Sequence, residues 1–159
     1  MRSGGRESDD IDGAYAWTRL ALSIALATIG GAGMWAVIVV LPAVQAEVGV
    51  DRAGASLPYT ATMIGFALGN VFIGRAIDRV GYMIPAFAAS FALGVGFILA
   101  SMSASIPQFA LVQGVLIGAG SSATFGPLLA DISHWFRLRR GIAVTAAASG
   151  NYLAGAIWP

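Results

Sequence analysis

Apolar positions along the chain do not alternate; they come in long blocks separated by short polar punctuation. No charged residue interrupts the run from Leu20 to Leu41, about 22 residues that at ~1.5 Å each cross a hydrocarbon layer of ~30 Å. Further blocks run from about Pro58 to Ile77, Ile84 to Met102 and Pro107 to Ile132, and a fifth begins near Gly141. With their flanks they predict helices over residues 18–46, 54–77, 82–102, 107–133 and 139–159, the last cut short. Pro58 and Pro107 fall where a first helical turn accepts proline, because the N–H groups there lack intrahelical acceptors. Pro127 falls inside the fourth block and predicts a kink there.

Composition narrows the class. The chain is 57% hydrophobic and 11% charged, with a mean hydropathy of +0.77, about half the charge of a soluble domain. An all-α membrane protein follows, a bundle of transmembrane helices. A net charge of +1 gives no polyelectrolyte attraction to nucleic acid. There is no cysteine, so disulfides, thiol catalysis and thiolate metal sites are excluded. Lysine is also absent, and all nine basic residues are arginine.

Residues 1–16 hold Arg2, Arg6, Glu7, Asp9, Asp10 and Asp12 with little that is apolar, and are expected to form a mobile cytoplasmic tail. A cleaved secretory signal is the competing reading, since Arg19 precedes a run containing Ala25-Leu26-Ala27. That run continues to Leu41, beyond the ~7–15 residues of a signal core. Residues 17–159 then form one partial helical unit. With the tail in the cytoplasm, eight of the nine arginines lie inside and Arg52 alone outside, which sets the N-terminus in the cytoplasm of a multi-pass inner (plasma) membrane protein.

The spans are dense in glycine: Gly30, Gly31 and Gly33, then Gly65 and Gly69, Gly94 and Gly96, and Gly114, Gly118 and Gly120. Lipid offers no hydrophobic drive for helices to associate, so small faces that allow close backbone approach must supply it. Such faces either only pack or also permit rocking. No span interior holds Asp, Glu, Lys, Arg or His, so a proton relay or ion-coupling carboxylate within these spans is not expected. Asp78 and Asp131 sit at the cytoplasmic ends of the second and fourth helices, where Asp131 is expected to pair with Arg75 or Arg79 and so hold an inner gate. Tyr59, Gln113, Asn151 and Tyr152 are candidates to line a solute cavity, Gln113 and Asn151 most sharply because buried amides need partners. His134 beside Trp135 and Phe136 reads as an interfacial anchor; a lone histidine is no metal site.

Three stretches carry a resemblance. Gly74-x-x-x-Asp78-Arg79-x-Gly81, between the second and third spans, resembles the signature loop of the major facilitator superfamily. Asp12-Gly13-Ala14-Tyr15-Ala16-Trp17 resembles the lead-in to the first helix of the monocarboxylate transporter family. Trp135-Phe136-Arg137-Leu138-Arg139-Arg140, followed by Ala143, Gly150 and Gly155, resembles that family's lead-in to its fifth helix, shared with the oxalate/formate antiporters. Four positions depart from the family's patterns: Tyr82-Met83 replaces two basic residues of the signature loop, Ala110 replaces the arginine that the superfamily's fourth-helix motif places three residues before Gln113-Gly114, and Trp35 stands where animal monocarboxylate carriers place a lysine.

The resemblance implies the first four helices and part of the fifth of a twelve-helix major facilitator fold. It implies a secondary transporter of a small organic anion, working by alternating access with a coupled proton or counter-anion, with Gly74, Asp78, Arg79, Gly81 and Asp131 at the inner gate. Trp135, Phe136, Arg139, Arg140 and Gly150 would mark the start of the fifth helix. No cofactor is expected. An efflux carrier of the same superfamily is the nearest alternative. A cofactor-bearing anchor subunit would need histidines within the spans, and a membrane enzyme a convergent set of acid, base or nucleophile; the sequence supplies neither.

Overall fold

The computed structural model describes residues 13–48 and 52–158, and among them every regular element is a helix. In chain order these are α1 (Ala14–Gly30), α2 (Ala32–Val48), α3 (Arg52–Val80), α4 (Met83–Ser101), α5 (Ile106–Val112), a π-helical turn at Gln113–Gly118, α6 (Ala119–Ser122), α7 (Gly126–Trp135) and α8 (Arg140–Ile157). Four helical stretches are long and apolar enough to cross a membrane: Ala14–Ala46, Ala53–Val80, Met83–Ser101 and Ile106–Trp135. They are the four expected spans, and α8 stands where the fifth was expected.

The boundaries differ from the sequence reading in three places. Helix α1 begins at Ala14 and buries Ala16 completely, so residues 14–16 join the bundle; residues 1–12 of the expected tail lie outside the described residues. Helix α2 runs through Pro42 to Val48, since the ring costs one ladder bond, the one it cannot give to the Ile38 carbonyl, before the ladder resumes. Helix α3 starts at Arg52, which puts Pro58 inside the helix rather than in its first turn.

Two spans are interrupted, each for a local reason. The first bends at Gly31, where the N–H groups of both Met34 and Trp35 turn to the Gly31 carbonyl at 3.1 and 3.3 Å. The fourth changes to π-helix at Gln113 and unwinds over Ala123–Phe125 into tighter turns, with Thr124 N–H donating to Ser121 O and Phe125 N–H to Ser122 O. Pro127 causes the second break: it has no N–H for the Ala123 carbonyl, and its ring crowds that carbonyl. The kink expected from the sequence is therefore realised four residues before the proline.

Close glycine contacts draw the spans together. A Cβ at Gly65 would collide with the Gly114 carbonyl, one at Gly114 would come within 2.8 Å of Ala61 O, and one at Gly118 within 2.5 Å of Thr62 O. The second and fourth spans thus meet main chain to main chain. On the other side of the bundle, α1 packs on α8, where a Cβ on Gly150 would stand 2.6 Å from Ile24 O. The third span leans on the fourth through Gly96, opposite Ile117 and Leu116. At one end Ala16, Leu20, Ile132, Phe136, Ala143 and Ala147 form a buried apolar cluster tying α1, α7 and α8 together.

Candidate functional site

Two places gather the residues that could carry function: a charged, aromatic cluster at the end of the bundle where α1 begins, and a polar crossing inside it.

The end cluster is built by the apolar packing beneath it. Leu20 and Ile132 share the buried cluster, and the residues preceding each of them, Arg19 and Asp131, are thereby brought side by side. Arg19 Nη2 donates to both Asp131 carboxylate oxygens, at 3.1 and 2.9 Å. Its guanidinium lies 4.6 Å from the centre of the Trp135 ring and 5.8 Å from that of Tyr15. Tyr15 meets Trp135 edge to face with ring centres 5.3 Å apart, and Trp17 meets Phe136 in the same way at 5.3 Å. Segments 13–17 and 135–136, more than a hundred residues apart in sequence, therefore form one aromatic pairing around one ion pair. Arg139 and Arg140 lie just beyond it, exposed.

The expected partner of Asp131 was Arg75 or Arg79, and the structure corrects this. Asp131 is engaged by Arg19, because α7 packs against α1 at this end. Arg75 Nη1 reaches back to Val71 O at 3.4 Å, and Asp78 and Arg79 are exposed at the end of α3. Gly81 closes that helix in the left-handed region at φ +79°, where a side chain would be strained, and its N–H donates to Ile77 O. Gly74 has no atom within 4 Å of a notional Cβ. Gly74, Asp78, Arg79 and Gly81 thus lie at an open surface, apart from Asp131. Tyr82, which follows Gly81, has its phenol pKa pushed up by partial burial and then by the charge of Asp131.

The interior crossing centres on Gly30-Gly31-x-Gly33. A Cβ at Gly30 would collide with the Thr124 side chain; one at Gly31 would come 2.8 Å from Asn151 Oδ1, and one at Gly33 2.9 Å from Ser121 Oγ. The bend in the first span is therefore where the fourth and fifth helices bring polar side chains against it. Thr28 Oγ1 donates to Ile24 O and Gly150 O, Trp35 Nε1 donates to Asn151 O at 2.8 Å, and Trp158 Nε1 donates to Thr28 O. Gln113 Oε1 and Ser121 Oγ are buried with no hydrogen-bond partner, a cost that a folded interior seldom tolerates without a reason.

Of the residues expected to line a cavity, Gln113 and Asn151 are buried and Tyr59 half-buried. Tyr152 is 70% exposed, about 100° round the helix from its neighbour Asn151, and does not join the crossing. An apolar groove of about 450 Å³ between the second and fourth spans is walled by Ile64, Leu68, Phe72, Leu111 and Val115 and includes none of these four residues. Among the described residues no group of three or more His, Cys, Asp or Glu could hold a metal ion. Sequence reasoning placed Arg19 only as a topology marker and Trp35 only as a replaced lysine. The Gly30-Gly31-x-Gly33 cluster was the signal for the crossing, and its partners on other helices were not legible.

Residues 22–159 match the family model of the Major Facilitator Superfamily. The MFS-type transporter pytF of Aspergillus terreus is 32% identical over 92 residues, covering 58% of this chain and 31% of that protein. The MFS-type transporter pynF of Aspergillus niger is 35% identical over 91 residues, covering 57% of this chain and 21% of that protein. The Fujikurins efflux protein of Gibberella fujikuroi is 33% identical over 105 residues, covering 66% of this chain and 22% of that protein. The chain thus spans about a fifth to a third of the length of these relatives.

Proposed function

Because the chain belongs to the Major Facilitator Superfamily, we propose that it forms the opening helices of a longer secondary transporter that exports an organic compound by alternating access. The observation that carries this reading is the interior crossing. Two interrupted spans meet a third helix there, the unpaired Oγ of Ser121 is buried beside the bend, and the unpaired Oε1 of Gln113 is buried eight residues earlier in the fourth span. Interrupted helices and unspent hydrogen-bonding groups near mid-membrane are what a solute pathway requires. Export is favoured over uptake by a relative that bears the name of an efflux protein. The segment Gly74 to Gly81, with Asp78 and Arg79 exposed, would dock on the opposite half of the carrier in one of its two states. The membrane is taken to be the plasma membrane with the N-terminus inside, on the weight of eight arginines at one end.

A second reading, transport of a small organic anion such as a monocarboxylate, rests on the pairing of Tyr15 and Trp17 with Trp135 and Phe136. These are the two stretches in which the sequence resembles the monocarboxylate branch. Against it, Arg19, in the opening turns of the first span, is already paired with Asp131.

The test is transport by the full-length protein in inverted and right-side-out vesicles under an imposed pH gradient, with labelled lactate, pyruvate, formate and oxalate beside an apolar organic dye. Saturable movement of the dye out of the cytoplasmic side supports export, whereas saturable movement of one of the acids moves the assignment to the second reading. Asp78→Asn should lower turnover more than apparent affinity. Loss of binding at unchanged turnover would remove the gate role.

A further inference from the structure

Beyond Phe136, the segment after the fourth span takes no part in the function proposed above. Phe136 is 1% exposed and sits edge-on to Trp17, which pins the start of the segment to the body of the bundle. Two residues on, Leu138 is 91% exposed, against 74% for Phe91 on the third span. Around it stand Arg137, Arg139 and Arg140, all exposed. Three arginines within four residues, beside a leucine held outward by a buried anchor, form a surface that is both basic and apolar.

Positive charge predominates among the described residues at this end of the bundle. Leaving Arg137 aside, they carry Arg19, Arg75, Arg79, Arg139 and Arg140 against Asp78 and Asp131, five positive charges to two negative, with His134 beside them. Asp131 is engaged by Arg19, and the first turn of α8 contains no acid. The segment also lies where the chain leaves the membrane, at the C-terminal limit of the span Ile106–Trp135. A leucine there reaches the acyl boundary while guanidinium groups meet phosphate oxygens in their forked geometry.

We propose that Leu138, Arg139 and Arg140 form a binding site for the phosphate headgroup of an anionic phospholipid of the membrane that the chain crosses. The arginines take the phosphate and the leucine packs on the glycerol and upper acyl chain. A free phosphate would satisfy the arginines and leave Leu138 in water, so the leucine selects the lipid.

The test uses the full-length protein in neutral detergent with equal amounts of phosphatidylglycerol and phosphatidylcholine, counting retained lipid by native mass spectrometry. Phosphatidylglycerol is expected to be retained in preference, and Arg139→Gln with Arg140→Gln to lower its retention roughly tenfold. Arg139→Lys with Arg140→Lys should keep most of it, and Leu138→Ser should lower it without changing the melting temperature. Equal retention of the two lipids, or unchanged retention in the glutamine variant, overturns the proposal. Full displacement by inorganic phosphate together with an inert Leu138→Ser overturns the lipid assignment in favour of a soluble phosphate. Should the glutamine variant fail to fold, the wild-type lipid preference and Leu138→Ser decide.

Discussion

The third and fourth spans are adjacent and both apolar enough to cross a membrane, yet they are built on opposite plans. In the third, 17% of the most apolar stretch is buried; in the fourth, 44%. Helix α4 is continuous and turns Phe87 and Phe91 outward, at 71% and 74% exposure. The fourth is broken twice and meets the second span backbone to backbone through Gly114 and Gly118. In water the third span would be the liability, but in a bilayer its aromatic face rests against acyl chains at little cost, and association depends on what small residues allow. Hydropathy therefore says that both spans cross, while glycine placement says which one is surrounded.

The comparison can be broken most forcefully at the seam of the second and fourth spans. Gly65→Leu drives a side chain into the Gly114 main chain and should cost about 3 kcal/mol or more, read as loss of the monodisperse peak in fluorescence-detected size exclusion. A normal peak would mean that the seam is looser than described. Within the third span, two neighbouring glycines separate packing from propensity. Gly96→Ala meets Ile117 Cγ1 at 2.8 Å and Leu116 Cβ at 3.0 Å and should cost about 1–2 kcal/mol. Gly94→Ala meets nothing within 4 Å and should be neutral or slightly stabilising in the same thermal melt. Equal effects at the two positions would dissolve the contrast between the faces of α4.

Smaller effects sharpen it. Trp35→Phe removes the bond to Asn151 O and should cost about 1 kcal/mol, measured as a shift in melting temperature. Arg19→Gln and Asp131→Asn should show a coupling of only about 0.5–1 kcal/mol in a double-mutant cycle, since both side chains are a third or more exposed, at 33% and 41%. Additive effects would mean that the aromatic pairings alone hold α1 to α7. Phe91→Leu should change stability by less than about 0.5 kcal/mol, because lipid replaces one apolar contact by another.

Much of the architecture was readable from residue patterns. Four long apolar blocks mark four spans, and Pro127 marks the break in the fourth. Asp131 pairs with Arg19 rather than with Arg75 or Arg79, a choice that topology leaves open because all three arginines lie on one side. The decision lay in the packing of Leu20 with Ile132, a contact across 112 residues that no local pattern records. Tyr152 stands apart from the crossing because helical phase turns it away from the face that carries Asn151.

What the sequence determined by itself is that this chain belongs in a bilayer and which of its stretches are apolar enough to cross it, because the cost of burying charge in hydrocarbon acts residue by residue and needs no knowledge of neighbours. It also determined where backbones are permitted to touch, since only glycine and alanine clear the space. Tertiary structure alone decided which of these permitted contacts is made, that Arg19 holds Asp131, and that Gln113 and Ser121 are enclosed without partners. Those outcomes depend on the relative rotation and depth of whole helices, which packing fixes collectively.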